Sequence, residues 1–307
     1  MSLAVIPVPA FGCEDVAVAT HGPDEGAVFT GTEDGTIWRL RDGGRQVDRV
    51  AQTGGRPLGI EYDGDGRLVV CDATRGLLRV DPATGDVETL ADAVEGTPIL
   101  VCNNAAVASD GTIWFSDSSA VHTLDRWKDD FIQVTATGRL LRRDPGGEVE
   151  IVMGGLAFAN GVALGGDEAF VAVAESSTRR VARHWITGER AGERDFLVED
   201  LPGYPDNIAR GSDGLIWVAI GSPTDPLLER LMKGPRWLRR QVTRIPEKLQ
   251  PKEKQRAWVQ AYDDTGTLVH DCDLDTRDFH MVTGVREHAG RVWMGSLHER
   301  GIAVLDR

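Results

Sequence analysis

Asn103 to Asp117 reads NNAAVASDGTIWFSD. A short apolar run from Ala105 to Ala108 climbs to a Ser-Asp-Gly turn, and Ile113, Trp114 and Phe115 run back from it. Glycine and aspartate tolerate the positive φ that a tight hairpin requires, so the stretch reads as two antiparallel strands. The same unit recurs five more times. It appears as EDVAVATHGPDEGAVFTG from Glu14, LGIEYDGDGRLVVCD from Leu58 and NGVALGGDEAFVAVAE from Asn160. It appears again as DNIARGSDGLIWVAI from Asp206 and TGVREHAGRVWMGSL from Thr283. A third strand follows each pair, as in GTIWRL, GLLRVD, GRLLRRD, RRVARHW and GIAVLD, and often a more polar fourth, as in DVETLAD and EVEIVMG. Six units of four strands predict an all-β fold, a six-bladed β-propeller. A β-sandwich also has short strands at regular spacing, but it does not explain six similar first strands.

One domain, 1–307, accounts for the chain. The last unit offers three good strands, and AVIPVPA near the N-terminus is placed to supply the fourth and close the ring. Two segments break the pattern: an insert over 118–137 in blade 3 and a longer one over 221–257 in blade 5. In the second, Leu228, Leu231 and Met232 fall at helical spacing, and prolines stand at helix starts. This predicts a helical cap or lid. Between Arg230 and Arg256 it carries ten of the chain's 34 Lys and Arg residues.

The remainder is correspondingly acidic. Forty-eight Asp and Glu against 34 Lys and Arg give 307 residues a net charge of -14. Such a chain repels nucleic acid phosphates, so a nucleic-acid partner is not expected. No apolar run approaches the roughly 20 residues that span a bilayer, and Met1–Ala10 lacks the basic start of a signal peptide. The expectation is a cytoplasmic protein. Cys13, Cys71, Cys102 and Cys272 are far apart and read as free thiols. Oligomeric state is not legible.

In a propeller the first strand of each blade lines the central channel. Aligned on their apolar residues, the six first strands open with Glu14, Leu58, Asn103, Asn160, Asp206 and Thr283. The following residues are Asp15, Gly59, Asn104, Gly161, Asn207 and Gly284. Two carboxylates and two amides at one register converge on the axis. That oxygen set suits a hard divalent cation, Ca²⁺ first, with Mg²⁺, Mn²⁺ or Zn²⁺ as alternatives. Taken singly, each Asn or Asp is an ordinary loop residue.

CNNAAVASDGTIWFSDSS, GRLLRRDP, GLAFANGVAL, VAESSTRRVARHW, LPGYPDNIARGSDGLIWVA and GSLHERGIAVLD together resemble the superfamily of gluconolactonases, senescence-marker-protein-like lactonases and strictosidine-synthase-like proteins. The resemblance covers nearly the whole chain and is strongest to the strictosidine-synthase-like branch. It implies a six-bladed propeller with a channel cation in its hydrolytic members. It carries the lactonase metal ligands onto Glu14, Asn160 and Asp206, an additional amide near metal and substrate onto Asn103, and the general base onto Asp206. Strictosidine synthase itself uses a late glutamate to activate an amine. Thr283 stands at that position here, which argues against amine–aldehyde condensation.

The expected reaction is hydrolysis of a lactone or related ester, a small-molecule substrate, with Asp206 as base. His298, at the end of a second strand, is a second candidate for proton transfer, equally readable as a surface-loop histidine. Phe158, Tyr204 and His280 precede ring positions and are expected to border the substrate. Asp72, Asp117 and Glu175 end second strands on the same face and are expected near the pocket. No GxSxG elbow occurs, and Ser116, Ser118 and Ser119 read as polar loop residues. A non-catalytic ligand- or protein-binding propeller is the alternative, since fold alone does not give function.

Overall fold

The computed structural model describes residues 3–243 and 255–307. Six four-stranded antiparallel sheets are arranged as the blades of a propeller. The inner strands are Val16–Val18, Pro57–Tyr62, Cys102–Val107, Ala159–Leu164, Gly203–Arg210 and Val282–His288. Blade 6 is completed by the N-terminal strand Leu3–Pro7, which pairs antiparallel with Gly301–Asp306, Ile6 opposite Ile302. The first and last strands of the chain thus share a sheet, as the sequence expects. A small hairpin, Ala93–Val94 with Thr97–Pro98, joins blades 2 and 3.

The apolar core lies between blades. Each wedge between neighbouring sheets holds its own cluster of alternating side chains. Phe29, Ile37 and Leu78 fill the wedge between blades 1 and 2, and Phe170, Ile208 and Val218 that between blades 4 and 5. Cys13, Val16, Trp293 and Ile302 seal the wedge where chain start meets chain end. All four cysteines are buried free thiols. Burial pushes the Cys13 thiol up to about 12, so it behaves as a small apolar side chain.

The inner strands carry the feature that builds the channel. In blades 2 to 6 the pairing with the second strand slips at the ring positions: between Pro57 and Ile60, Cys102 and Ala105, Ala159 and Val162, Pro205 and Ile208, and Val282 and Gly284. A bulge frees residues from the ladder and re-aims their side chains. In blades 2 to 5 the freed residues are those of the two aligned registers, and in blade 6 Thr283 alone, since Gly284 stays paired with Gly295.

The second register is a tight plug. Acid or amide side chains at Asp15, Asn104 and Asn207 alternate with Gly59, Gly161 and Gly284 around the axis. Asn104 Nδ2 donates to Asp15 Oδ2 at 3.0 Å, Ile60 N to the same oxygen at 3.2 Å, and Val162 N to Asn104 Oδ1 at 2.8 Å. The glycines are there for space: a Cβ on Gly161 would lie 2.0 Å from Ile208 N, and one on Gly284 2.5 Å from Asp15 Cα.

Both inserts carry helices. Between Asp117 and Gly138 in blade 3 lies α1, Trp127–Gln133. Between Pro223 and Arg256 in blade 5 lie α2, Pro226–Met232, and α3, Arg236–Val242. Asp225 caps α2, accepting from Leu227 N and Leu228 N at 2.9 and 3.0 Å. Part of the basic stretch, 244–254, lies outside the described residues.

Candidate functional site

Glu14, Asn103 and Asn160 are buried at the aligned register, 5%, 5% and 3% exposed, and Asp206 is a partly buried residue at the same register. The two amides have one defined orientation. Asn103 Nδ2 donates to Ser118 Oγ at 3.0 Å, and Asn160 Nδ2 to Ser176 Oγ at 3.1 Å. The opposite ends, Asn103 Oδ1 and Asn160 Oδ1, are buried without any hydrogen-bond partner. An unpaired buried carbonyl is costly and calls for an explanation. Two of them at one register, beside two carboxylates, fit the donor set of a hard cation. Asn207, 1% exposed, has neither amide atom partnered, so a further carbonyl oxygen stands beside Asp206. Among the described residues no group of three His, Cys, Asp or Glu side chains could hold a metal. Only when amides are counted do these residues offer a donor set for a cation, and that set is one of oxygens.

Burial sets the electrostatics of the ring carboxylates. Burial raises the Glu14 carboxyl from its ordinary value to about 7, and Arg56 pulls it the other way. Burial also lifts Asp206 well above the usual carboxylate range. The neighbouring Glu14 charge adds to the rise, while the Asn160 side chain opposes it. Asp15, one layer below, is likewise raised to about 7 by burial, against the pull of Arg286.

Arg56 was not foreseen. It lies two residues before Leu58, where blade 2 offers an apolar ring residue. Its guanidinium donates to Gly12 O and Glu14 Oε2, both at 3.0 Å. One oxygen of Glu14 is therefore held by an arginine. A basic residue between a Gly-Gly pair and a proline carries no motif, and only the ring geometry brings it to Glu14.

Phe158 and Tyr204 lie two residues before Asn160 and Asp206, as expected of pocket-lining side chains, yet each is only 7% exposed. Phe131 of α1 packs edge-on against Tyr204 at 5.1 Å and against Phe158 at 6.2 Å. Met232 and Leu228 of α2 join the same cluster. Tyr204 Oη donates to Glu229 Oε1 at 2.9 Å, and Arg179 Nε meets that oxygen at 3.3 Å. The two inserts thus sit down together on the rim beside blades 4 and 5. Phe158 holds φ of +60° and Met281 +52°, both two residues before a ring position. Bulky side chains rarely adopt that backbone, and such strain gathers at functional sites.

His280 and His298 are neighbours on blade 6, rings edge-on at 6.0 Å. His280 Nδ1 lies 2.6 Å from Glu299 Oε1. Ser296 Oγ ties the two loops, donating to His280 O at 2.6 Å and accepting from His298 N at 3.1 Å. His298 is exposed and His280 partly so. The structure brings the two histidines together at the end of blade 6.

Asp72, Asp117 and Glu175, expected near the pocket, are 0%, 0% and 1% exposed and turn their carboxylates to backbone. Asp72 accepts from Arg56 N at 3.0 Å, Asp117 from Val101 N at 2.9 Å and Glu175 from Ala157 N at 2.8 Å. Each braces the backbone that leads into a ring residue. Ser118 is no polar loop residue but, like Ser176, the group that turns a ring amide. Ser119 is likewise engaged, bonded to Asp130 Oδ2 at 2.5 Å inside the blade 3 insert. Thr283 donates from Oγ1 to Glu14 O at 2.7 Å and so fastens blade 6 to blade 1 beside the ring.

Residues 20–225 match the family described as the SMP-30/gluconolactonase/LRE-like region. The adipocyte plasma membrane-associated protein of Gallus gallus is 34% identical, over 91% of this chain and 72% of that protein. STRICTOSIDINE SYNTHASE-LIKE 13 of Arabidopsis thaliana is also 34% identical, over 82% of this chain and 61% of its own length. A solved gluconolactonase from Xanthomonas campestris superposes with a TM-score of 0.72 at 18% identity, covering 99% of this chain and 89% of that one. That degree of likeness speaks to the propeller fold. Among the described residues no helix is long and apolar enough to cross a membrane.

Proposed function

The chain belongs to the SMP-30/gluconolactonase/LRE-like family, and from that premise we propose that it is a cation-dependent hydrolase of lactones or related esters. One observation carries the reading: two buried amide carbonyls, Asn103 Oδ1 and Asn160 Oδ1, have no partner, while Ser118 and Ser176 hold their nitrogens. Glu14, Asn103, Asn160 and Asp206 would hold the ion, Ca²⁺ first by donor chemistry. When bound, such a cation supplies polarisation of a carbonyl oxygen and acidification of water.

The chain's own residues do the rest. Asp206 accepts the proton of the attacking water at one carboxylate oxygen. Arg56 keeps Glu14 oriented. The wall of Phe158 and Tyr204 beneath the helical cap keeps one side of the rim dry. The strictosidine-synthase-like relatives raise a second reading, a lyase or synthase. Against it, the ring residue of blade 6 is Thr283, whose hydroxyl is engaged with Glu14 O and offers no carboxylate to an amine.

Elemental analysis of the purified protein, with a lactone panel assayed before and after chelation, tests the reading. About one divalent ion per chain and activity lost on chelation and restored by Ca²⁺ are expected. A metal-free protein that hydrolyses lactones, or a metal-loaded one inert to all of them, would sink it and favour a binding propeller.

A further inference from the structure

The helical cap has two faces of different chemistry. Its inner face is apolar and sits on the rim: Leu228 and Met232 pack with Phe131, Phe158 and Tyr204. Its outer face is cationic. Arg230, Lys233, Arg236 and Arg240 are all exposed, and none of them makes an ion pair among the described residues. Elsewhere on the molecule arginines are routinely paired, as in Arg183–Asp195, Arg256–Asp273 and Arg286–Glu61.

The local acids explain why. Over 224–243 the acids are Asp225 and Glu229. Asp225 is used as the α2 cap, and Glu229 is turned inward to Tyr204 and Arg179. Among the described residues of the cap, the outer face is left as a positive patch without a paired acid, on a chain of net charge -14. Two large apolar side chains stand in it, Leu227 at 60% and Trp237 at 67% exposure.

We propose that the outer face of α2 and α3 docks on an anionic lipid surface. Charge complementarity selects the partner's sign, because the acidic remainder of the molecule would be repelled by the same surface. The apolar residues select a lipid. A protein interface gathers apolar side chains into a dry centre from which charges are depleted. Here a tryptophan and a leucine stand singly among cations, the pattern of side chains that enter the headgroup region while Lys and Arg meet phosphates. Docking this way turns the rim beside Phe158 and Tyr204 toward the bilayer. The inference does not depend on the hydrolase reading.

Flotation of the full chain with phosphatidylcholine vesicles, with and without phosphatidylglycerol, tests it at constant Ca²⁺. Binding is expected only where phosphatidylglycerol is present, and it should weaken as salt rises from about 0.1 to about 0.5 M. Each basic residue near an anionic leaflet contributes roughly fivefold in partition, so Arg236→Gln with Arg240→Gln should lose about 25-fold. Trp237→Ala should weaken partition without altering the melting temperature, since the ring is mostly in water. Absence of binding to anionic vesicles would overturn the proposal, as would partition untouched by both variants. A raised KM for an anionic lactone, with vesicle partition unchanged, would instead assign the patch to soluble anions.

Discussion

Asn160 donates from Nδ2 to the hydroxyl of Ser176 at 3.1 Å, and this one bond decides which end of the amide faces the channel. Asn103 and Ser118 repeat it one blade earlier at 3.0 Å. In blade 2 the corresponding pair is Leu58 and Ala73, packed in one apolar cluster. The residue after the second-strand acid therefore matches the ring residue in kind: Asp72-Ala73, Asp117-Ser118, Glu175-Ser176.

Ser176→Ala should thus act on the cation rather than on the fold. Without the hydroxyl, the amide of Asn160 loses the bond that fixes its orientation. Loss of such an outer partner costs roughly 10–100-fold in metal affinity. Calcium titration by calorimetry reads it, with Ser177→Ala as the neighbouring control. Equal affinities in all three proteins would mean that the orientation of Asn160 does not matter to the ion.

Much of this was legible from the sequence, and the part that was not has a physical reason. Six strand–turn–strand units gave the propeller, and their register placed Glu14, Asn103, Asn160 and Asp206 together, because a repeat shares one local geometry. Ser118 reads as a loop residue and Ser176 draws no notice because their partners lie 15 and 16 residues away across a bulge. The bracing role of Asp72, Asp117 and Glu175 was not legible because strand ends show position and not which way a carboxylate turns. Arg56 was invisible because it reaches Glu14 from a different blade. The pairs Asp-Ser and Glu-Ser after second strands were the one available signal for the amide partners.

Asp206→Asn separates holding from catalysis. An amide carbonyl can still ligate, but it accepts no proton, so the ion should stay while hydrolysis falls. A positioned general base is worth roughly 10²–10⁴-fold in rate. Asp206→Ala should lose the ion as well. A metal-loaded Asn variant with normal turnover would remove Asp206 from the base role.

The ring also sets a pH dependence. Glu14 in the folded protein is raised by burial to about 7 from an ordinary 4.5, so between these values the folded state holds a proton that the unfolded chain has released. Stability then falls as pH rises across that window. The raised Asp206 contributes in the same direction. Melting of the chelated protein should therefore drop between about pH 5 and 7, and excess Ca²⁺ should flatten or reverse the drop, because binding favours the deprotonated ligands. Identical profiles with and without the ion would contradict a site built on these carboxylates.

Gly161→Ala probes the plug. The added Cβ would sit 2.0 Å from Ile208 N, and backbone of the next blade cannot swing aside as a side chain does. Overpacking of this kind costs about 1–3 kcal/mol, and here the upper end or beyond is expected. Gly154→Ala, where nothing lies within 4 Å, is the matched control. Chemical denaturation of both variants decides it. If the two were equally stable, the inner strands would not approach as closely as described.

The cap should come loose without the propeller. Phe131 stands at the centre of an aromatic and aliphatic cluster made by α1, α2, Phe158 and Tyr204. That cluster is separate from the interblade clusters, whose members come from the sheets themselves. Phe131→Ala removes the ring that touches both rim residues, and truncating a buried phenylalanine costs about 3–5 kcal/mol where the whole fold depends on it. Here the loss should fall on a locally cooperative unit, because the cap can open while every wedge stays packed. Limited proteolysis within 224–243 should therefore quicken, while the main melting transition moves little. Cation affinity should be preserved, since none of the four ring ligands lies in the cap. The KM for bulky substrates should rise more than that for small ones, as the dry wall over Phe158 and Tyr204 is lost. A large fall in the melting temperature with unchanged proteolysis would show instead that the inserts are part of the propeller's global core.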